Sequence, residues 1–312
     1  MIFIVIPVHN RKEFTRQCLQ CLAEQRYRNF RIVVVDDGST DGTQEMVRQS
    51  FPEVVLRKGN GHLWWTEATN EGVRYALNNR TDGEQNFVLT LNDDTRVGSD
   101  YLQSLMDAYD QKKPCMIGSV SVDADDPEKL EYAGTIHDFY FAKEIDLKNR
   151  FKRNYGNLAG RAVHLESHSL PGRGTLIPLY VFDTIGLYDS RRFIHYMSDI
   201  EFSVRARKAG FPLIVNVKSV VHEYVRATGL FVAQGVSWKQ FFSSFSSIKS
   251  PTNLKTRYHF ALAHSKTKLI YFLLDLGRIS AGFLLRKIRT NRVKNSPAET
   301  NANGFATSSN HS

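Results

Sequence analysis

Along the first third of the chain, short apolar runs alternate with segments whose apolar residues recur at helical spacing. Ile2 to Val8 reads as a strand, Arg11 to Glu24 as an amphipathic helix, Phe30 to Asp37 as a second strand and Asp41 to Gln49 as a second helix. The alternation continues through Val54 to Arg57, a helix from Thr66 to Asn78, and the apolar strand Phe87 to Leu91. It predicts an α/β fold with a mostly parallel central sheet flanked by helices. Each strand runs into polar residues: His9 and Asn10, Asp36 and Asp37, then Asn92, Asp93 and Asp94. In open sheets of this kind ligands bind beyond the carboxyl ends of the strands, so these clusters mark one functional edge.

After Ser121 the pattern becomes irregular. A charged, aromatic stretch from Asp123 to Tyr155 is expected to lie over the functional edge, with strands that periodicity does not resolve. Signal returns at the turn Pro171-Gly172-Arg173-Gly174, then an apolar segment to Ile185, a helix from Ser198 to Ala209 stopped by Gly210, and a last strand, Leu213 to Val221, leading into His222. This divides the chain into a catalytic domain at 1–228, a basic helical appendage at 229–294 and a polar tail at 295–312 expected to be disordered. In the appendage Leu269, Leu273, Leu276, Ile279, Phe283 and Leu284 follow helical spacing, while Asp275, Arg278, Arg286 and Arg289 fall on another face.

Composition narrows the classes. With 312 residues and 42% hydrophobic content the chain can bury one large core. The three cysteines, Cys18, Cys21 and Cys115, lack paired spacing and read as core residues. Ile2 to Val8 has no basic leader and is too short for a signal peptide, and Asp275 and Arg278 interrupt the best candidate for a membrane span. A cytoplasmic protein is therefore expected. The net charge of +9 is uneven, because from Val225 onward 13 Lys and Arg face only Asp275 and Glu299. No nucleic-acid motif accompanies these bases, and they alternate with apolar residues, which points to peripheral attachment at the inner face of the cell membrane rather than to nucleic acid. Docking of the helix on the catalytic domain or a second subunit is the alternative.

The chemistry sits at the strand ends. Paired acids after a buried strand, as in Val35-Asp36-Asp37-Gly38-Ser39, are costly unless a ligand, hydrogen bonds or a helix terminus compensates them. Asp37, reaching past the strand, is placed to bind a nucleotide's base and ribose; capping of the next helix is the other use for either acid. The second acidic cluster, Asn92-Asp93-Asp94, suggests a divalent cation such as Mg2+ or Mn2+, with Asp94 as first ligand and His222 as second, although a solitary His is more often a packed residue.

Four motifs in order, Ile6-Pro7-Val8-His9-Asn10, Val35-Asp36-Asp37-Gly38-Ser39, Leu91-Asn92-Asp93-Asp94 and Ser198-Asp199-Ile200-Glu201-Phe202, resemble family 2 of the glycosyltransferases, which has the GT-A fold. The resemblance runs from Met1 to about Thr228. It implies an inverting transferase moving a sugar from a nucleoside-diphosphate sugar to an acceptor hydroxyl. By the same resemblance Asp37, Pro7 and Asn10 line the nucleotide pocket, Asn92 to Asp94 form a DxD-like motif in which Asp93 faces the donor and Asp94 the metal, and His222 is a metal ligand. Asp199 matches the catalytic base, with Ser198 before it where many members carry an acid; helix capping is the local alternative.

The segment from Gly59 to Asn70, with Asn60, Trp64 and Trp65, is similar to the donor loop of bacterial members that build surface polysaccharides, often rhamnosyltransferases, except for Glu67 where related sequences often carry Gly. That points to a dTDP- or UDP-sugar donor and a lipid-linked or surface glycan acceptor. Packing in the core is the competing use of the two tryptophans. Gly172, Arg173 and Gly174 are placed as a loop at acceptor or donor. A non-catalytic nucleotide-sugar or glycan-binding protein is the competing function. A dinucleotide oxidoreductase lacks support, since no Gly-x-Gly-x-x-Gly follows the first strand.

Overall fold

The computed structural model describes residues 1–225 and 237–294. In chain order the catalytic part opens β1 (Ile2–Val8), α1 (Lys12–Ala23), β2 (Phe30–Asp36), α2 (Thr43–Ser50), β3 (Val55–Lys58), α3 (Trp64–Asn78) and β4 (Phe87–Thr90). It continues with β5 (Thr95–Val97), α4 (Tyr101–Lys112), β6 (Met116–Asp123), β7 (Leu130–Tyr132) and the hairpin β8 (Thr135–Asp138) and β9 (Lys143–Asp146). Then come α5 (Tyr155–Ala159), β10 (His164–Glu166), β11 (Thr175–Pro178), α6 (Leu179–Ile185), α7 (Ser198–Lys208) and β12 (Leu213–Glu223). Three helices follow: α8 (Trp238–Ser244), α9 (Leu254–His264) and α10 (Leu269–Lys294).

The sheet runs β10-β12-β6-β11-β4-β1-β2-β3, with β5 beside β12 and β7 beside β6. β4, β1, β2 and β3 are parallel, as the alternation predicts. β11 enters antiparallel between β4 and β6, so the sheet is mixed beyond its first half. β1 explains why the first run is apolar throughout: Ile2, Ile4 and Ile6 face the layer of α1, α2 and α4, while Phe3 and Val5 face the layer of α3, α6 and α7. A strand buried on both faces has no polar position to offer, and each such side chain contributes about 1.5–3 kcal/mol by burial. Gly72 lets α3 close on β1, since a Cβ there would stand 2.3 Å from a Val5 methyl.

Cys18 and Cys115 are buried and all three cysteines are free, consistent with packing. The irregular stretch resolves into β7, the β8–β9 hairpin and short helical turns. β12 extends two residues past Val221, so His222 lies within the strand rather than after it. The extension is driven by pairing, since His222 stands opposite Arg96 of β5 and beside Val122 of β6.

The C-terminal helices are not a free appendage. α9 packs on α7, where His264 Nε2 lies 3.3 Å from Glu201 Oε1. A third apolar cluster joins Ala142 of the hairpin loop, Phe193 and Met197 before α7, and Phe260 and Tyr271 of the last helices. No described helix is long and apolar enough to cross a membrane. The proposed disordered tail at 295–312 lies outside the described residues.

Candidate active site

The carboxyl ends of β1, β2 and β4 open onto a cavity of about 830 Å³ whose wall includes Pro7, Asp37, Trp65, Asp93, Asp94, Gly172, Arg173 and Asp199. Three acids far apart in sequence therefore share one cavity. The two acids after β2 divide their work. Asp36, fully buried, accepts a 2.7 Å hydrogen bond from Ser39 N and holds the turn. Asp37 accepts from Gly61 N at 2.8 Å and from Trp64 N at 3.0 Å, so its carboxylate fixes the 59–64 loop while remaining on the cavity wall. Gly59 allows that approach, because a Cβ would sit 2.6 Å from Asp37 Oδ1.

Asn10 and Asn60 are not among the wall residues, although their chain neighbours His9, Arg11 and Gly61 are. Asn10, at φ 52°, accepts from Thr40 N at 2.7 Å. Asn60 accepts from His62 N at 2.9 Å. Trp65 is no mere core aromatic: its Nε1 donates to Asn92 Oδ1 at 3.0 Å and its ring lies against Gly172, where a Cβ would stand 2.2 Å away. Asn92 thus serves as a neutral acceptor for an indole. Glu67 turns away from the cavity to Arg74, at 2.7 Å, and to Asn70.

At the second acidic cluster Arg11 Nη1 lies 2.6 Å from Asp94 Oδ2 and 3.4 Å from Asp93 Oδ1. Asp93 is almost wholly buried and its Oδ2 has no hydrogen-bond partner. Burial first, and then the adjacent Asp94, push its carboxyl up to about 7, against the pull of Arg11. His222 does not join this cluster. Successive strand residues face opposite sides, and its neighbour Glu223 pairs with Arg173 of the cavity wall, leaving His222 half-buried toward Arg96. Burial and Arg96 hold the imidazole below its usual range.

No group of three His, Cys, Asp or Glu side chains able to hold a metal occurs among the described residues. A hard divalent ion needs few protein oxygens when phosphates and water complete its shell. The unpartnered Asp93 oxygen and the Asp94 carboxylate fit an ion delivered with a diphosphate; they do not fit one held by protein alone.

Asp199 stands in the first turn of α7, entered through Met197 at φ 66°. Its Oδ2 accepts from Gly172 N and its Oδ1 from Ile200 N, each at 2.8 Å. Burial raises its pKa, opposed by those two amides and by Arg173. The preceding Ser198 is fully buried, and its Oγ has no partner. Gly174, at φ 78°, is required by the turn, since a Cβ would meet Tyr101 and Ser119 under 3 Å.

Several wall residues escape sequence reasoning: Arg11, Tyr132, His137, His195, Lys249, Arg257 and Arg278. A base directly after the polar strand end is a signal for Arg11, and Arg278 stands on the polar face of a periodic helix; the others come from segments without regular period.

Residues 3–167 match the model of glycosyl transferase family 2. The chain belongs to that family. Its family membership makes it a glycosyltransferase, and the fold agrees with the GT-A architecture. It is 28% identical over 157 residues to "Glycosyltransferase GlyA" of Streptococcus pneumoniae, an alignment spanning 49% of this chain and 21% of that protein. It is 27% identical over 213 residues, 64% of this chain and 68% of the other, to an N-acetylglucosaminyl-diphospho-decaprenol L-rhamnosyltransferase of Mycobacterium tuberculosis. Among solved structures, a mannosyltransferase of Pyrobaculum calidifontis in complex with GDP-Man and Mn2+ superposes with TM-score 0.54 at 14% identity, covering 94% of this chain and 78% of that one. GalNAc-T7 with UDP, GalNAc and Mn2+ superposes at 0.56 and 16% identity, covering 72% and 43%. At those identities the likeness concerns the fold.

Proposed function

We propose that this glycosyltransferase moves a sugar from a nucleoside-diphosphate sugar to an acceptor hydroxyl with inversion at the anomeric carbon, using Asp199 as base. The observation that carries the reading is the shared cavity of Asp37, Asp94 and Asp199. Pro7, Asp37, Trp65 and Asp93 bound the donor end, with Asn10 and Asn60 beside wall residues in the chain. Asp94, with Asp93, would hold a divalent ion bound with the donor. Such an ion, Mg2+ or Mn2+, supplies Lewis-acid stabilisation of the leaving diphosphate.

The remaining work falls to the chain's own side chains. Amides of Gly172 and Ile200 orient the Asp199 carboxylate and leave lone pairs for the hydroxyl proton. As the acceptor oxygen bonds to the anomeric carbon, its proton passes to Asp199, and the electron pair of the breaking carbon–oxygen bond leaves on the diphosphate. Burial strengthens the base by favouring its protonated form. Arg11 holds one oxygen of Asp94, so an ion there would share the carboxylate with the guanidinium or displace it.

A dTDP- or UDP-sugar is the proposed donor, with rhamnose first among sugars because of the mycobacterial relative. That relative's name also supports a lipid-linked glycan as acceptor. Work at the inner face of the cell membrane is proposed for α10, which exposes Leu273, Leu284, Leu285 and Ile288 beside its bases. A donor panel with and without Mn2+, read by nucleotide release and thermal stabilisation, tests the reading. Stabilisation by nucleoside diphosphate with no sugar transfer to any hydroxyl acceptor would leave the non-catalytic binding protein instead.

A further inference from the structure

Three consecutive residues at the start of α3 reach toward the segments that carry all three cavity acids. Trp64 N donates to Asp37 Oδ2 at 3.0 Å, which ties the turn to the end of β2. The indole Nε1 of Trp65 donates to Asn92 Oδ1 at 3.0 Å, beside Asp93 and Asp94. Thr66, fully buried, donates through Oγ1 to Phe193 O at 2.6 Å and through its backbone N to Ile194 O at 3.3 Å, on the segment that leads into α7 and Asp199.

The tightest of these contacts is made by the Trp65 ring. Its Cζ2 and Cη2 would stand 2.2 and 2.5 Å from a Cβ added to Gly172. Gly172 is not among the glycines at positive φ, so the chain demands no left-handed residue there. What the missing Cβ permits is the approach of the indole. Gly172 N in turn donates to Asp199 Oδ2 at 2.8 Å, so a single residue separates the indole from the base. A second brace runs through Tyr188. Asn70 of α3 bonds its backbone in both directions, at 2.9 and 3.0 Å. The Tyr188 ring meets Trp65 edge-on at 5.7 Å and stacks at 4.3 Å on Phe202, three residues beyond Asp199 in α7. A tryptophan that merely fills the core need not reach the cavity, yet this one is half-buried, lines the wall and spends its N–H on Asn92.

We propose that Trp65 is a positioning residue, which sets the Asp199 carboxylate relative to the donor by packing against Gly172 while its own turn is held by Asp37 and Asn92. The proposal rests on Asp199 being the base and adds what keeps that base in register with the nucleotide end. Misplacing a catalytic group by about 1 Å can cost about 10² in rate, so the spacer between the two ends has a consequence in turnover.

A double-mutant cycle on the full chain tests it. Gly172→Ala sets a Cβ against the indole and should push the loop and its amide off Asp199, whereas Trp65→Phe removes Cζ2 and Cη2 and makes room. In the ligand-free protein, hydrogen exchange at amides 172–174 should quicken about tenfold in Gly172→Ala and return toward the wild-type rate in the double variant. With dTDP-rhamnose and Mn2+, and water as acceptor, kcat for dTDP release should fall by about 10- to 100-fold in Gly172→Ala with the donor KM little changed, and the double variant should recover most of that loss. A purely structural tryptophan would alter unfolding in these variants without this recovery of kcat. A double variant no better than Gly172→Ala in either measurement overturns the proposal, as does a change confined to KM. Absence of dTDP release by the wild type would count against the donor reading alone, because the exchange cycle needs no ligand and decides the Trp65 contact by itself.

Discussion

The two ends of the cavity are built on different principles. At the donor end the acids stand at the ends of parallel strands, and backbone amides fix the pair after β2: Gly61 and Trp64 on Asp37, Ser39 on Asp36. At the far end the wall is assembled from a hairpin, α9 and α10, and its charges are fixed by other side chains, Arg257 and Arg278 on Asp275. Amide donors cannot be mutated away, whereas side-chain pairs can be exchanged. The first construction suits a ligand part common to many reactions, the second a part that varies. Asp199 joins the ends, held by a Gly172 amide from one side and standing on the helix against which α9 packs.

The comparison breaks most completely at that junction. Asp199→Asn keeps the shape of the side chain and removes the base, so turnover should fall by about 10² to 10⁴, the usual value of general-base help. Nucleotide-induced thermal stabilisation should persist. In the wild type the base works only when unprotonated, and burial raises its pKa. Activity should therefore decline as pH falls through a value above the ordinary aspartate range of about 4. A pH profile flat down to that range would show another group accepting the proton.

The next largest effect belongs to the donor end. Asp37→Ala orphans the amides of Gly61 and Trp64, at a cost on the order of 2–4 kcal/mol for two unmet donors. Denaturant unfolding should register that loss, and stabilisation by nucleoside diphosphate should vanish with it. A variant as stable as the wild type would mean the 59–64 loop holds itself.

The donor end was legible in the sequence because its residues follow a period: a fully apolar strand must end where polar residues begin, and that end is the ligand edge. What was not legible follows from the same logic. His222 lies one residue beyond the point where β12 looked complete, and pairing with β5 carries the strand onward and turns the imidazole to the other side. β11 is four residues long, too short for its direction to show. Arg257, Tyr271 and Arg278 reach the cavity only through packing of α9 on α7, which no local pattern encodes. The basic helix was visible as amphipathic, yet its docking depends on Phe260 and Tyr271 meeting Ala142, more than a hundred residues earlier.

A smaller effect is expected from Arg11→Gln, which bears on how the donor end receives its ion. Arg11 is the counter-charge of Asp93 and Asp94, so the variant should bind Mn2+ without nucleotide about tenfold more tightly, roughly 1.4 kcal/mol. Free Mn2+ followed by paramagnetic resonance reads this directly, with no turnover involved. Equal affinity in both proteins would show that guanidinium and ion do not compete.

The smallest effect concerns the outer face of α10, where the far end would meet lipid. Truncation ahead of α9 would be a poor test, because it removes Arg257 from the cavity wall and His264 from Glu201 along with any membrane contact. Paired substitution Leu284→Ser with Leu285→Ser touches only exposed side chains, 46% and 57% accessible, and leaves every base in place. Binding to vesicles of mixed anionic and neutral phospholipid should weaken by about three- to tenfold, a fraction of the 1.5–3 kcal/mol that full burial of one leucine supplies. The steepness of its salt dependence should not change, since that slope reports the bases. Unchanged affinity with an unchanged slope would assign attachment to the bases alone and remove the apolar face of α10 from the contact.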